Sequence, residues 1–492
     1  MNLFSKGVKL FFCLSIAHIF YNSVSGQSLA FDAVRSVNLI NQGIIQNEEQ
    51  VKGYYFLYEK DSIDNSGNIF KFVITNENLF IINQQEIKLP DESVNLEISC
   101  NGSEIILMFF HKHNKTFEYI VYDTYGFQKF TYIQKLSGKE FRHYKEIAFY
   151  DTKEYERKSI YPLDTLGFLS NTLWKDNNKI SYRINFYNSK KDEQWSFVPN
   201  EGGSYFYGDY LGTYKNIIYL SLFSFKEAIY TEKPQTYIIG LDVKTGKLLF
   251  KKSADAKYLL LAKEIKILKN GQGYLYGTYF NLKANLNKDK PDGIALWKLT
   301  DNGEIAEEKY ISWENDFSKH IEITDKGKIF GVGYLNLHNI VQSANGEFYI
   351  LAEGYHKVLN AYVIAKAVLF GLINSIGDNF TKDVASDMIL IKLDTTCKIQ
   401  GINIYDKKNS NYFCYNITQQ NNTSNSFSFW YYADKFKSLK AINVSDSMIT
   451  TNKIKVNPHT SKSIFLPAFA KHILLIEYFS NSKKMEMHFE KF

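Results

Sequence analysis

Apolar residues in this chain gather into short runs bounded by Gly, Asn, Asp and Ser, the mark of strands and turns in succession. The clearest case is residues 237–250. Tyr237-Ile238-Ile239-Gly240-Leu241 reads as a buried strand, Asp242 and Gly246 supply turn chemistry, and Lys247-Leu248-Leu249-Phe250 resumes an extended pattern. The same strand–turn–strand unit recurs at 53–58 with 69–74, at 104–110 with 117–122, at 179–187 with 194–198, and at 216–223. Asp123-Thr124-Tyr125-Gly126 echoes the turn at Asp242.

Two later units match best. Asn270-Gly271 leads to a strand, a loop, and Trp297-Lys298-Leu299 followed by Ile305; Asn345-Gly346 leads likewise to Ile391-Lys392-Leu393 and Ile399. Units of about 40 to 50 residues with several strands each are what propeller blades require. A blade cannot cover both faces of its own sheet, so blades pack on one another. The pattern therefore predicts an all-β chain, a β-propeller-like ring of about six to eight antiparallel blades. The uneven spacing of Leu241, Leu299 and Leu393 leaves a β-sandwich pair or two smaller β domains as alternatives. A hairpin over 473–492, alternating Met485, Met487 and Phe489 with Glu486, His488 and Glu490, is placed to close a ring by meeting the first strand. Residues 357–376 break the period of two and are rich in Ala and Leu, which predicts one inserted helical segment. That helix packs over an end of the β body or docks peripherally on an envelope partner; Asn360, Lys366 and Asn374 argue against a membrane span.

Composition adds export. Residues 1–26 carry Lys6 and Lys9, an apolar stretch over 8–20, and Val24-Ser25-Gly26, the pattern of a secretory signal peptide cleaved after Gly26. The expected mature chain, 27–492, is one propeller-like domain located in the periplasm, at the cell surface or outside the cell. Aromatic residues make up 16% of the sequence, which favours folded strands over linkers. The net charge of +6 is spread among interspersed Lys and Glu, so no nucleic-acid partner is expected. Cys100, Cys397 and Cys414 lack metal spacing; buried free thiols are favoured over a Cys397–Cys414 disulfide.

Catalytic motifs are missing: there is no HExxH, Walker loop, GxSxG or GxGxxG in the body. His111 and His113 share a face if the strand continues, which would allow a metal pair, but a turn-flanking surface pair fits the sequence better. Asn287, Asp289 and Asp292 offer oxygen ligands without the ordered spacing of a calcium loop and read as a solvated hairpin loop. Asp123, Asp242 and Asp292 are funnel carboxylate candidates for a propeller glycosidase, although an Asp at a turn most often binds its own backbone. No catalytic, cofactor-binding or metal residue is assigned, and no cofactor is expected.

With these residues in hand, the chain resembles an uncharacterised family of exported propeller-like proteins from Gram-negative bacteria, a domain of unknown function. The residues that carry the resemblance are Gly53-Tyr54-Tyr55, Leu241-Asp242-Val243-Lys244-Thr245-Gly246-Lys247, the Ala-rich stretch 361–371 and the hairpin at 473–492. The resemblance implies export and brings no catalytic residues. The expected role is a non-catalytic binding or scaffold module for a protein or glycan at the cell envelope. The alternative is a secreted hydrolase of glycans or peptides with its site in the central channel.

Overall fold

A computed structural model describes residues 28–491 apart from 39–40, 48–49, 62–67, 91, 151–158, 177–178, 189–193, 200–204, 226–234, 254–256, 269, 285–288, 344, 357–383, 408–414, 421–425, 434–437, 446–448 and 470–471. The strands are all short and almost all antiparallel, and they form the eight blades of a β-propeller. Blade one holds β2 (Val34–Ser36), β3 (Gln42–Asn47), β4 (Gln50–Lys60), β5 (Asn68–Asn76) and β6 (Ile81–Leu89), following β1 (Leu29–Phe31) in the chain. Blade two is β7 (Ser93–Cys100), β8 (Glu104–His111), β9 (Thr116–Asp123) and β10 (Gln128–Lys135). Blade three is β11 (Ile160–Leu163), β12 (Gly167–Asp176), β13 (Lys179–Asn188) and β14 (Gln194–Phe197). Blade four is β15 (Tyr205–Tyr214), β16 (Ile217–Phe225), β17 (Gln235–Asp242) and β18 (Leu248–Ser253), joined to blade three by one parallel pair, Ile180 with Tyr205. Blade five is β19 (Tyr258–Ile267), β20 (Gly273–Asn281), β21 (Gly293–Leu299) and β22 (Ile305–Ser312). Blade six is β23 (Tyr334–Gln342), β24 (Phe348–His356), β25 (Val384–Leu393) and β26 (Ile399–Tyr405). Blade seven is β27 (Tyr415–Gln420), β28 (Phe427–Ala433), β29 (Ser438–Val444) and β30 (Ile449–Lys455). Blade eight combines β31 (Lys462–Pro467), β32 (His472–Phe479) and β33 (Lys484–Lys491) with β1, so strands from opposite ends of the chain share a sheet: Leu29 lies opposite Met487 and Phe31 opposite Met485. The chain falls into two compact units, one built around blades one and eight, the other around blades two to seven.

Central strands read as unbroken apolar runs because both of their faces are covered. Every residue of β8 is buried. Blade six shows the division of labour: Phe348, Ile350, Ala352, Ile389, Ile391 and Leu393 join the core shared with blade five. The intervening Tyr349, Leu351, Met388 and Leu390 pack with Phe427, Phe429 and Tyr431 of blade seven. The period of two thus gives each blade one core on either side.

The turn seen first in the sequence joins the third and fourth strands of several blades. At Asp123–Gly126, Thr300–Gly303 and Asp394–Cys397, the fourth residue donates its N–H to the first residue's carbonyl and takes a positive φ. The first side chain caps the turn: Asp123 Oδ1 accepts from the N–H groups of Tyr125 and Phe127, and Asp394 Oδ1 from those of Thr396 and Lys398. Asp242 is a one-residue-longer version in which the Thr245 hydroxyl and amide bind Oδ1 and hold its carboxyl below the usual range. Gly246 closes that turn at φ 65°, where a Cβ would run into the Trp195 ring. Gly246→Ala is therefore expected to cost about 2–3 kcal/mol in urea unfolding. Gly271→Ala, at φ 79° with open space around it, is expected to cost only about 1 kcal/mol.

The segment 357–376, expected to be helical, lies outside the described residues, as does 1–26. The described α-helix is α1 (Gly138–Tyr150), between blades two and three. Its start is a capping box: the Glu140 carboxylate accepts from the Ser137 N–H at 2.8 Å while the Ser137 hydroxyl accepts from the Glu140 N–H at 3.3 Å. Tyr144 anchors the helix, its ring edge-on to Phe117 and its hydroxyl accepting from the Leu173 N–H at 2.9 Å.

Candidate functional site

The histidines singled out from sequence separate. His111 ends β8 inside the sheet, while His113 sits in the following turn with its side chain 72% exposed, 3.4 Å from Glu92. Neighbouring strands give His111 two partners: the Ser93 hydroxyl lies 2.7 Å from Nδ1 and Glu118 Oε2 lies 2.8 Å from Nε2. A Ser–His–Glu line suggests nucleophilic catalysis, but its exposure runs backwards. Ser93 is fully buried and Glu118 is the member that reaches solvent, so the line serves as a clip across β7, β8 and β9. Cys100 and Cys397 are free thiols pushed up to about 11 by burial, which keeps them protonated at neutral pH; Cys414 and Asn287 fall outside the described residues.

A more open arrangement is built from the loops of blades five and six. Trp313, at the exit of β22, is its hub: the buried indole packs edge-on against Phe317 at 4.6 Å and donates to the Pro291 carbonyl at 2.7 Å. A Cβ on Gly327 would lie 2.6 Å from the same indole nitrogen, so the 324–328 turn rests directly on Trp313. Asp289 and Asp292 on one loop and Asp325 on the other are thereby brought together. Burial first, then Asp289 and Asp325, raises the Asp292 carboxyl. Beyond this turn the chain doubles back twice, through pairing of Ile323 with Ile329 and of Ile329 with Gly333. Ile329 and Val332 are buried, and Phe330 between them is 63% exposed. The doubled-back turn is clamped against blade six, with the Ser386 hydroxyl donating to the Val332 carbonyl and the Tyr355 carbonyl against Gly333. Tyr334 completes the platform, its ring 6.1 Å from Tyr355 and under the Lys290 ammonium at 5.5 Å. An exposed aromatic ring on a rigid mount, on loops that also carry Asp289, Asp292, Asp325 and Lys290, is a recognition surface that loses little entropy on binding.

Directly beneath, blades five and six are stapled by a buried polar joint. Glu353 in β24 is wholly inaccessible; one carboxylate oxygen accepts from the Lys407 ammonium and the other from His338 Nε2–H at 2.9 Å. From blade five, Lys263 donates to the Leu337 carbonyl and the Tyr276 hydroxyl to the His338 carbonyl at 3.1 Å. His338 occupies a β-bulge, the extra residue between the pairs Leu337–Ala352 and Asn339–Leu351. Leu96, Leu211 and Lys263 are the extra residues at matching bulges in β7, β15 and β19, the first strands of their blades.

None of Phe330, Trp313, His338, Glu353 or Lys407 stood out from sequence. One signal for the platform was present: Gly327-Lys328-Ile329-Phe330-Gly331-Val332-Gly333 sets an aromatic among three glycines. Pro291 and Asp292, read as a solvated loop, are in fact half-buried against Trp313. Among the described residues, no group of three or more His, Cys, Asp or Glu is placed to hold a metal ion, and no helix is long and apolar enough to cross a membrane.

Several solved structures are similar to this chain. They include a protein of unknown function from Bacteroides caccae (11% identity, TM-score 0.27, covering 68% of this chain and 89% of that one). Synechocystis apocarotenoid oxygenase is another (11%, TM-score 0.36, 81% and 85%), as is the β-propeller domain of the Trilobed protease from Pyrococcus furiosus (11%, TM-score 0.40, 88% and 99%). No curated protein matches the sequence. A family model described as a family of unknown function (DUF6770) matches residues 7–413 and 408–492.

Proposed function

The chain belongs to DUF6770, a family of unknown function, and from that premise we propose that it is an exported, non-catalytic binding module that takes a glycan partner at the cell envelope. Phe330 carries the reading: a large aromatic side chain left 63% exposed on a turn whose neighbours Ile329 and Val332 are anchored in the core. The ring offers a flat apolar face for a sugar ring, and Asp289, Asp292, Asp325 and Lys290 offer acceptors and a donor for hydroxyls. The leader-like segment 1–26 supports export.

The test is titration of the purified chain against a panel of envelope polysaccharides, comparing wild type with Phe330→Ala. Loss of this anchor is expected to weaken binding by at least about tenfold. Because the ring is exposed, stability should change by no more than about 0.5 kcal/mol. Binding that is equal in the two proteins, or seen only with a protein partner, would overturn the glycan assignment. The hydrolase alternative draws on one observation, the raised Asp292 carboxyl beside Asp289 and Asp325. It requires release of reducing ends by wild type that disappears in Asp292→Asn.

A further inference from the structure

We propose that the seam between blades five and six is an acid-sensitive joint centred on His338, and that its loosening withdraws the loop platform from its binding arrangement. The inference rests on the reading of that platform as the binding face. The imidazole faces a fixed set of charges. Glu353 receives its Nε2–H and is already matched by Lys407, whose own N–H donates to Asp387 Oδ1 at 3.1 Å. Lys263 stands on the blade-five side. Tyr276, bound to the His338 carbonyl, is shared with Glu264 at 3.1 Å. A proton on His338 would thus place a second positive charge on a single buried carboxylate, with Lys263 close by. Burial first, then Lys263 and Lys407, holds the imidazole well below its usual value, so the folded joint is built for the neutral ring.

The position of His338 transmits the event. The bulge that carries it also presents the Leu337 and His338 carbonyls to Lys263 and Tyr276, so one backbone kink bears both cross-blade bonds. The strands meeting there are those that mount the platform. β23 begins at Tyr334, directly after the clamped 329–333 turn, and β24 ends in Tyr355 and His356, against Gly333. Release of the seam therefore acts on Tyr334, Tyr355 and the mount of Phe330 together.

The sign follows from linkage. The ring's folded value is depressed, so the joint is at full strength above the unfolded value of about 6.5 and is lost as pH falls below it, because the open form takes up a proton that the closed form refuses. Hydrogen–deuterium exchange of the ligand-free full chain, corrected for intrinsic rates, reads this directly. Peptides covering 262–277, 334–342 and 351–356 are expected to open up to about tenfold more per pH unit below about 6.5 in wild type. In His338→Gln they should show no such dependence, and Lys263→Met, which relieves one of the opposing charges and so lifts the folded value, should show the same dependence over a narrower range, levelling off at a higher pH than wild type. The proposal is overturned if exchange at these peptides is flat with pH in wild type, or if His338→Gln keeps the full dependence. Should His338→Gln not fold, a dependence in Lys263→Met that levels off no earlier than in wild type is equally fatal. Exchange needs no ligand, so failure of the joint is distinguishable from failure of the platform reading, which Phe330→Ala tests at neutral pH.

Discussion

Glu353→Gln is expected to lower stability by about 3–5 kcal/mol, because it takes from the buried Lys407 ammonium the carboxylate charge it is paired with. Glu353 and Lys407 are both essentially inaccessible, so water cannot take the place of the lost carboxylate oxygen. The penalty belongs to the orphaned charge rather than to the worth of the pair, and that distinction is measurable. In Glu353→Gln/Lys407→Met the glutamine carbonyl still accepts from His338 and the buried ammonium is gone with its carboxylate, so most of the loss should return. Urea unfolding of the two variants and wild type provides the comparison: the single variant should shift to a much lower midpoint, the double variant back toward wild type. A single variant as stable as wild type would show that Lys407 finds another partner.

Trp313→Ala is expected to remove about 3–5 kcal/mol from the blade-five and blade-six loops. It deletes a buried indole, its edge-on contact with Phe317, and the donor to the Pro291 carbonyl. The 324–328 turn would lose its floor and the 289–292 loop its tether. Limited proteolysis should then cut within 313–333, and any platform binding should vanish with it. Phe330→Ala loses binding alone and leaves the protease pattern intact. If Trp313→Ala leaves both readouts unchanged, the loops are held by something other than the indole.

The blades were legible in the sequence because their physics is local. The unbroken apolar runs at 105–110 and 348–352, bounded by turn residues, and an Asp or Thr set a fixed distance before a residue of positive φ, are each visible within one short stretch of chain. The capping box at Ser137 and Glu140 is equally local and marks the start of α1. The joint could not be read in this way. His338, Glu353 and Lys407 come together through a bulge, a strand pairing and the end of β26, and the bulge marks the sequence only as a slip of phase, Leu335 and Leu337 being followed by Ile340. The joint's other visible mark is Glu353 itself, a carboxylate closing the apolar run Phe348 to Ala352. His111 was misplaced toward the surface for the same reason: the groups that make its burial tolerable, Ser93 and Glu118, lie on the strands to either side.

The pairing of β1 with β33 sets a timetable for the growing polypeptide. Leu29–Phe31 is synthesised before all the blades, yet its partners at Met485–Met487 follow blades two to seven. Blades whose strands are neighbours in sequence can assemble as they emerge, whereas blade eight must wait with β1 unpaired until its partner strand at the other end of the chain becomes available.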